Sequence, residues 1–189
     1  MDFLFLDTET GGLDPATDAL LTLGMIAGVD SSILDSIHIE IQPENYTCNQ
    51  GALDVNHIDV AEHKRVAISR KDAAERITGF ITKNLPESKP VVVGHNTGFD
   101  LGFLNELFSS TGLKPPYGYR NLDTAGNALF MKHLGIETGT NLPSLLRYYN
   151  IPFTDDILHN ALTDAQLTRE AYLAQVTHMH LLLGEKVFT

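Results

Sequence analysis

Residues 3–13 read Phe-Leu-Phe-Leu-Asp-Thr-Glu-Thr-Gly-Gly-Leu. The apolar run Phe3–Leu6 halts at Asp7, the signature of a short buried strand that delivers an acidic turn. Side chains alternate along a strand, so Asp7 and Glu9 project to the same side with Cα atoms roughly 6.7 Å apart. Two ionised carboxylates at that spacing repel by about 2.5 kcal/mol at an effective dielectric of ~20. A divalent cation removes that cost, and hard oxygen ligands suit Mg²⁺ or Mn²⁺. A solvated loop at a strand end carries the same pattern, so the pair alone does not fix the chemistry.

Working outward, two further strands are expected at Leu20–Val29 and Ile33–Ile41. The second of them alternates Ile33, Ile37, Ile39 and Ile41 with polar neighbours, and Asp30-Ser31-Ser32 reads as a hairpin turn that makes the two antiparallel. Ser69-Arg70-Lys71-Asp72 opens a helix with the stripe Ala74, Ile77, Ile81, Leu85, closed by Pro86. The β-branched run Val91–Val93 is a buried strand, followed by a helix with Leu101, Leu104 and Phe108 on one face. A fifth strand is expected around Tyr119–Leu122, then helical segments near Thr124–Leu134 and Leu142–Tyr149. A last helix starts near Ala161 with the stripe Ala161, Ala165, Thr168, Tyr172, Val176. Strands first, then strands alternating with helices, give an α/β domain on a mixed sheet.

The chain has 189 residues, 13 basic and 24 acidic, for a net charge of −11. That length suits a single domain, 1–189, and 43% hydrophobic residues exclude global disorder. The single cysteine, Cys48, cannot form an internal disulfide, which fits a reducing, cytoplasmic setting. The start is too short and acidic for a signal peptide, and no apolar run reaches membrane-spanning length. The acidic charge argues against a protein that grips nucleic acid with its whole surface, but not against one that binds it through metal ions.

Two more acidic motifs follow. In Gly94-His95-Asn96-Thr97-Gly98-Phe99-Asp100, Asp100 falls in the first turn of a helix, where free N–H groups and the dipole favour a carboxylate. The crowding of glycines, Asn96 and Phe99 there suggests close approach by a ligand, with His95 and Asn96 mainly a hydrogen-bonding scaffold. In His159-Asn160-Ala161-Leu162-Thr163-Asp164, Asp164 lies about 60° around the helix from the buried Ala161, on the rim of its apolar stripe. His159 stands five residues ahead of it in a loop.

Together, the three motifs resemble those of the DEDDh 3′–5′ exonucleases of the ribonuclease H-like superfamily, in order and spacing, from about residue 3 to 176. The style is closest to the DnaQ-like proofreading exonucleases; Leu122-Asp123-Thr124 and Asn141–Leu145 also resemble connecting segments of that group. The resemblance implies a ribonuclease H-like fold with a central mixed five-stranded sheet flanked by helices. It implies that Asp7, Glu9, Asp100 and Asp164 hold two divalent ions, Mg²⁺ or Mn²⁺, with His159 as general base. It also implies that Thr8, Thr10, Gly11, Leu13, His95, Asn96 and Phe99 contact substrate. The activity implied is release of nucleoside monophosphates from 3′ ends of single-stranded DNA, with a DNA polymerase as a partner the resemblance allows; the alternatives are RNA end trimming or, less favoured, a non-catalytic polymerase-binding scaffold. A small-molecule phosphoesterase is a further possibility. One departure stands out: His57 occupies a position where many relatives have glycine.

Residues 64–89 hold seven of the 13 basic residues (Lys64, Arg65, Arg70, Lys71, Arg76, Lys83, Lys89) against Asp72, Glu75 and Glu87, a net of +4. Such a face could steer a phosphate backbone, or be a solvated helix exterior.

Overall fold

The first strand, β1 (Asp2–Thr10), is the centre of the sheet in the computed structural model, which describes residues 1–86, 89–154 and 158–184. Around it stand β2 (Leu20–Val29), β3 (Ser32–Glu40), β4 (Val91–Gly94) and β5 (Asn121–Asp123), in the spatial order β3-β2-β1-β4-β5. β1–β2 and β2–β3 are antiparallel, while β1–β4 and β4–β5 are parallel. The sheet is therefore mixed and five-stranded, as the motifs implied.

Alternation along β1 decides what lies on each face. Leu4 and Leu6 join Leu23, Met25 and Ile39 in a core covered by α3 (Arg70–Asn84) and α4 (Thr97–Thr111). Phe3 and Phe5 point the other way, against Ile26, Val93 and the long α7 (Ala161–Leu182). There the Tyr172 ring lies 5.5 Å from Phe3 and 5.8 Å from Phe5. Side chains such as Phe5 and Leu4, with no exposed surface, each contribute about 1.5–3 kcal/mol of burial. A smaller cluster, Ala128, Leu145, Leu146, Leu167 and Ala171, ties α5 (Thr124–His133) and α6 (Leu142–Tyr148) to α7. Among the described residues no helix is long and apolar enough to cross a membrane.

Several local expectations change. β1 does not stop at Leu6 but continues through Thr10, because β2 pairs with it as far as Leu20, with an irregularity between Glu9 and Thr10. The acidic pair thus sits within the ladder. In β3, an extra residue at the Ala27/Gly28 register shift turns Ile33 off the core face, leaving it about half exposed while Ile39 and Ile41 are buried. The last strand begins at Asn121, and Tyr119 is outside it and exposed. Two short helices were not anticipated: α1 (Gln50–Asn56) and α2 (Val60–Val66), the latter capped by Asp59, which accepts from the N–H groups of Ala61 and Glu62.

The basic segment divides. Lys64, Arg65, Lys71, Arg76 and Lys83 are exposed, but Arg70 is buried, its guanidinium 4.0 Å from the centre of the Tyr46 ring. The solvated-exterior reading fails for that residue because stacking on the ring takes it out of water. Glu87, counted in the same segment, lies outside the described residues.

Gly24 of β2 faces Asp7 of β1, and a Cβ there would collide with the Ala161 carbonyl and the Leu162 nitrogen. The missing side chain is what lets the start of α7 rest on the sheet beside Asp7. Gly24→Val is expected to displace that helix start, costing about 1–3 kcal/mol of stability and at least about tenfold in activity. Thermal melts and a nuclease assay check this; an unchanged melt with full activity would refute the packing account.

Candidate active site

Four carboxylates reach one place from three elements. Asp7 and Glu9 extend from β1 on its α7 face, while Asp100 and Asp164 are each the fourth residue of their helix, α4 and α7. Asp100 and Asp164 therefore leave from the first turn of a helix, the end whose dipole favours negative charge. Asn96 starts α4 from a left-handed conformation (φ 66°), and its backbone N–H donates to Asp123 Oδ1 at 2.9 Å. Thr97 Oγ1 donates to the Leu122 carbonyl at 2.8 Å, so the β4–α4 turn is bound to the end of β5. Asn160 caps α7 through the N–H of Thr163.

The carboxylates are enclosed and short of partners. Asp100 is 3% exposed and accepts a 2.7 Å bond from Thr8 Oγ1, whose even-numbered position puts it on the α4 side of β1. Asp164 Oδ2 accepts the His159 backbone N–H at 2.9 Å, but its Oδ1 is buried with no hydrogen-bond partner. Burial, reinforced by Asp100, Asp164 and Glu9, holds Asp7 well above the usual carboxylate range. Burial, with Asp164 and Asp100 nearby, pushes Glu9 up to about 8. Asp100 rises to about 7 through burial, against the lowering effect of the Thr8 hydroxyl. Asp164 is raised by burial, partly offset by its bond from His159. Like charges gathered out of water shift their pKa values upward together, and a bound cation is the usual remedy.

The residues fit such an ion. Ligand atoms of Glu9, His159 and Asp164 lie within 4.8 Å of one another, and the orphaned Asp164 oxygen lacks only a positive partner. Oxygen-rich donors with one imidazole suit a hard or borderline divalent ion. His159 itself is exposed, in a left-handed conformation (φ 67°) just ahead of α7.

Thr8, Glu9, Thr10, Leu13 and Phe99 line a cleft of about 690 Å³. Leu13 is 83% exposed at its mouth. Gly11 is not among the residues lining this cleft, where Gly12 stands instead; a Cβ at Gly11 would press on the Thr47 carbonyl and Cys48. His95 and Asn96 have a structural connection instead, His95 Nδ1 lying 2.9 Å from Thr124 Oγ1. On the other side of Glu9, a second opening of about 450 Å³ contains His57, His159 and His63. His57 ends α1 with φ 57°, and its ring stands edge-on to His159 with centroids 6.5 Å apart.

Two participants were not visible in the sequence. Asn56, buried, donates through Nδ2 to the Thr10 carbonyl at 3.0 Å and so fixes the end of β1. Gly24 clears the way for α7, and its only signal is a glycine inside an apolar strand, one it shares with Gly28.

Residues 4–172 match the family model described as Exonuclease. The chain is 31% identical over 191 residues to Ribonuclease T of Shewanella denitrificans, covering 95% of this chain and 82% of the relative. It is likewise 31% identical over 193 residues to Ribonuclease T of Haemophilus ducreyi, covering 96% and 87%. Its fold matches E. coli exonuclease I in complex with a dT13 oligonucleotide, with a TM-score of 0.79 and 21% identity over 96% of this chain. It spans 42% of that longer chain. The order of the three acidic motifs, their convergence in space and the matches along nearly the whole chain agree: the protein belongs to the DEDD-type 3′–5′ exonuclease family.

Proposed function

We propose that the chain removes nucleotides from the 3′ end of single-stranded nucleic acid by metal-dependent phosphodiester hydrolysis. The observation that carries this reading is the mutual approach of Asp7, Glu9, Asp100 and Asp164, with one Asp164 oxygen buried and without a partner. In this reading those four residues hold two divalent ions, Mg²⁺ or Mn²⁺. Bound there, the ions would neutralise phosphate charge and lower the pKa of water toward neutrality. His159, exposed at the rim, accepts the water proton. Thr8 holds Asp100 in place, Asn56 and Thr10 set the end of β1, and Leu13 and Phe99 pack on the terminal base or sugar. His95 and Asn96 act on substrate through the turn they stabilise. The whole chain, 1–189, works as one domain in a reducing cytoplasm, and a DNA polymerase is a fitting partner to present the strand.

DNA was the favoured polymer from the motifs alone. RNA is the second reading, favoured by the name Ribonuclease T borne by relatives that align over 95% of the chain. The deciding experiment is digestion of 5′-labelled single-stranded DNA and RNA with Mg²⁺, Mn²⁺ or EDTA. A ladder shortening from the 3′ end and abolished by EDTA is expected, and the faster polymer is the substrate. Cleavage that persists in EDTA overturns the mechanism.

His159→Ala separates base from ligand. Loss of a general base lowers kcat by about 10²–10⁴-fold, while the carboxylates retain the ions. Calorimetric titration with Mn²⁺ is the check: a loss of affinity as large as that of Asp164→Ala would make His159 a ligand instead.

A further inference from the structure

A cavity of about 720 Å³ lies away from the carboxylates. Arg70 and Lys71, the first two residues of α3, form its cationic wall, with Tyr46 beside them and Ser110 from the last turn of α4. Arg70 is 4% exposed. One of its Nη groups donates to Ser110 Oγ at 3.1 Å, its Nε has no partner, and it forms no ion pair among the described residues. Buried charges are normally paired, and here Glu44 and Glu106 act on the guanidinium only from nearby, without a salt bridge, so its free Nε is left to an incoming anion.

The neighbouring acids say what kind of anion. Glu44 also lines the cavity and accepts the Arg70 backbone N–H at 3.0 Å, while Glu106 accepts the Tyr46 hydroxyl at 2.6 Å. Of the two acids only Glu44 is on the wall with Arg70 and Lys71, which leaves the lining one net positive charge and suits a singly charged anion better than a dianion.

Position then suggests the source. Ser110 lies ten residues along α4 from Asp100, about 15 Å at 1.5 Å per residue. The turn between them faces both ways: Leu13, Asp14 and Asp18 line the active cleft, and Ala16 and Thr17 line this cavity. Pro15 rests on α4, where a Cβ at Gly102 would be 3.4 Å from its ring. At a stacked spacing of about 3.4 Å per nucleotide, 15 Å is roughly four nucleotides, and fewer for a drawn-out strand.

We propose that Arg70 and Lys71 bind a phosphodiester of the substrate strand two to four nucleotides upstream of the scissile bond, with Ser110 as the positioning residue for the guanidinium. The proposal rests on the exonuclease reading and extends it to a second contact. The test compares a dinucleotide with an octanucleotide as substrates for wild type, Lys71→Gln and Glu44→Gln. Lys71→Gln is expected to raise the octamer KM about three- to tenfold with kcat unchanged, leaving the dinucleotide untouched. Glu44→Gln, which can still accept the Arg70 N–H, is expected to lower the octamer KM. Equal responses for both lengths, or no response, overturn the proposal. Arg70→Met is informative only if its melt matches wild type; Lys71 and Glu44 are exposed and carry the test without it. Fluorescence anisotropy of a labelled octamer keeps the two readings apart. If no cleavage is found, octamer binding weakened by Lys71→Gln still supports the cavity while the exonuclease reading falls. If inorganic phosphate at millimolar concentration binds wild type but not Lys71→Gln, while octamer binding is the same for both, the site is one for free phosphate and the proposal is overturned.

Discussion

Asp7→Asn is expected to abolish hydrolysis while making the metal-free protein more stable. The two effects have one cause. Asp7 lies within reach of Glu9, Asp100 and Asp164, and burial together with those charges raises its pKa. Removing one carboxylate while keeping its shape relieves repulsion of about 2 kcal/mol at an effective dielectric near 20, worth a rise in Tm of about 4–8 °C for a chain of this size. The same change removes a proposed ligand, and activity should fall by more than about 10³-fold. Differential scanning calorimetry in EDTA at pH 8 and an oligonucleotide assay in Mn²⁺ are the two readouts. A variant that loses activity and also melts lower would show that Asp7 serves the fold rather than the ion.

The second large effect is on pH. Glu9 titrates at about 8 and Asp100 at about 7 in the folded protein, against ordinary values of 4.5 and 3.8. Between roughly pH 4 and pH 8 the folded state therefore binds more protons than the unfolded chain. The stability this contributes is fully present below about pH 4, shrinks as pH rises, and is gone above about pH 8. The loss is on the order of a few kcal/mol, or roughly 5–15 °C in Tm. Divalent ions act oppositely: they bind ionised carboxylates, and at 100 times Kd they restore about 2.7 kcal/mol. Melts in EDTA and in Mn²⁺ are thus expected to diverge as pH rises from 5 to 8.5, with protons released on metal binding. Parallel curves would mean that the carboxylates do not share an ion. The Asp7→Asn protein should show a shallower slope in EDTA.

Much of this site was legible because its parts follow local rules. Asp7 and Glu9 share a face by strand alternation, and Asp100 and Asp164 lie in first turns marked by Asn96 and Asn160. The strand at Phe3–Leu6, the β2–β3 hairpin and α3 with its Ser69 cap follow from apolar pattern, turn chemistry and capping, while the central place of β1 does not. What escaped depends on partners far along the chain. β1 extends through polar residues because β2 supplies its hydrogen bonds, which no side-chain pattern announces. Asn56 acts 46 residues away on Thr10, and Gly24 matters only because Ala161 passes over it. Arg70 looked like part of a solvated face until Tyr46 covered it. The short α1 and α2 are too brief for periodicity to single out.

The two-sidedness of β1 has a consequence for how this enzyme can change. Its odd-numbered residues look toward α7 and carry the acids, whereas its even-numbered ones look toward α4 and carry Thr8. A deletion or insertion of one residue between Phe3 and Leu6 reverses the facing of everything on one side of it relative to the other, so the apolar residues and the acids can no longer all keep their faces. The chain can accept many conservative replacements in this strand one at a time, yet no shift of frame within it. Catalysis here is written in parity, and lineages descending from this sequence would be expected to preserve the count of residues in β1 more strictly than their identity.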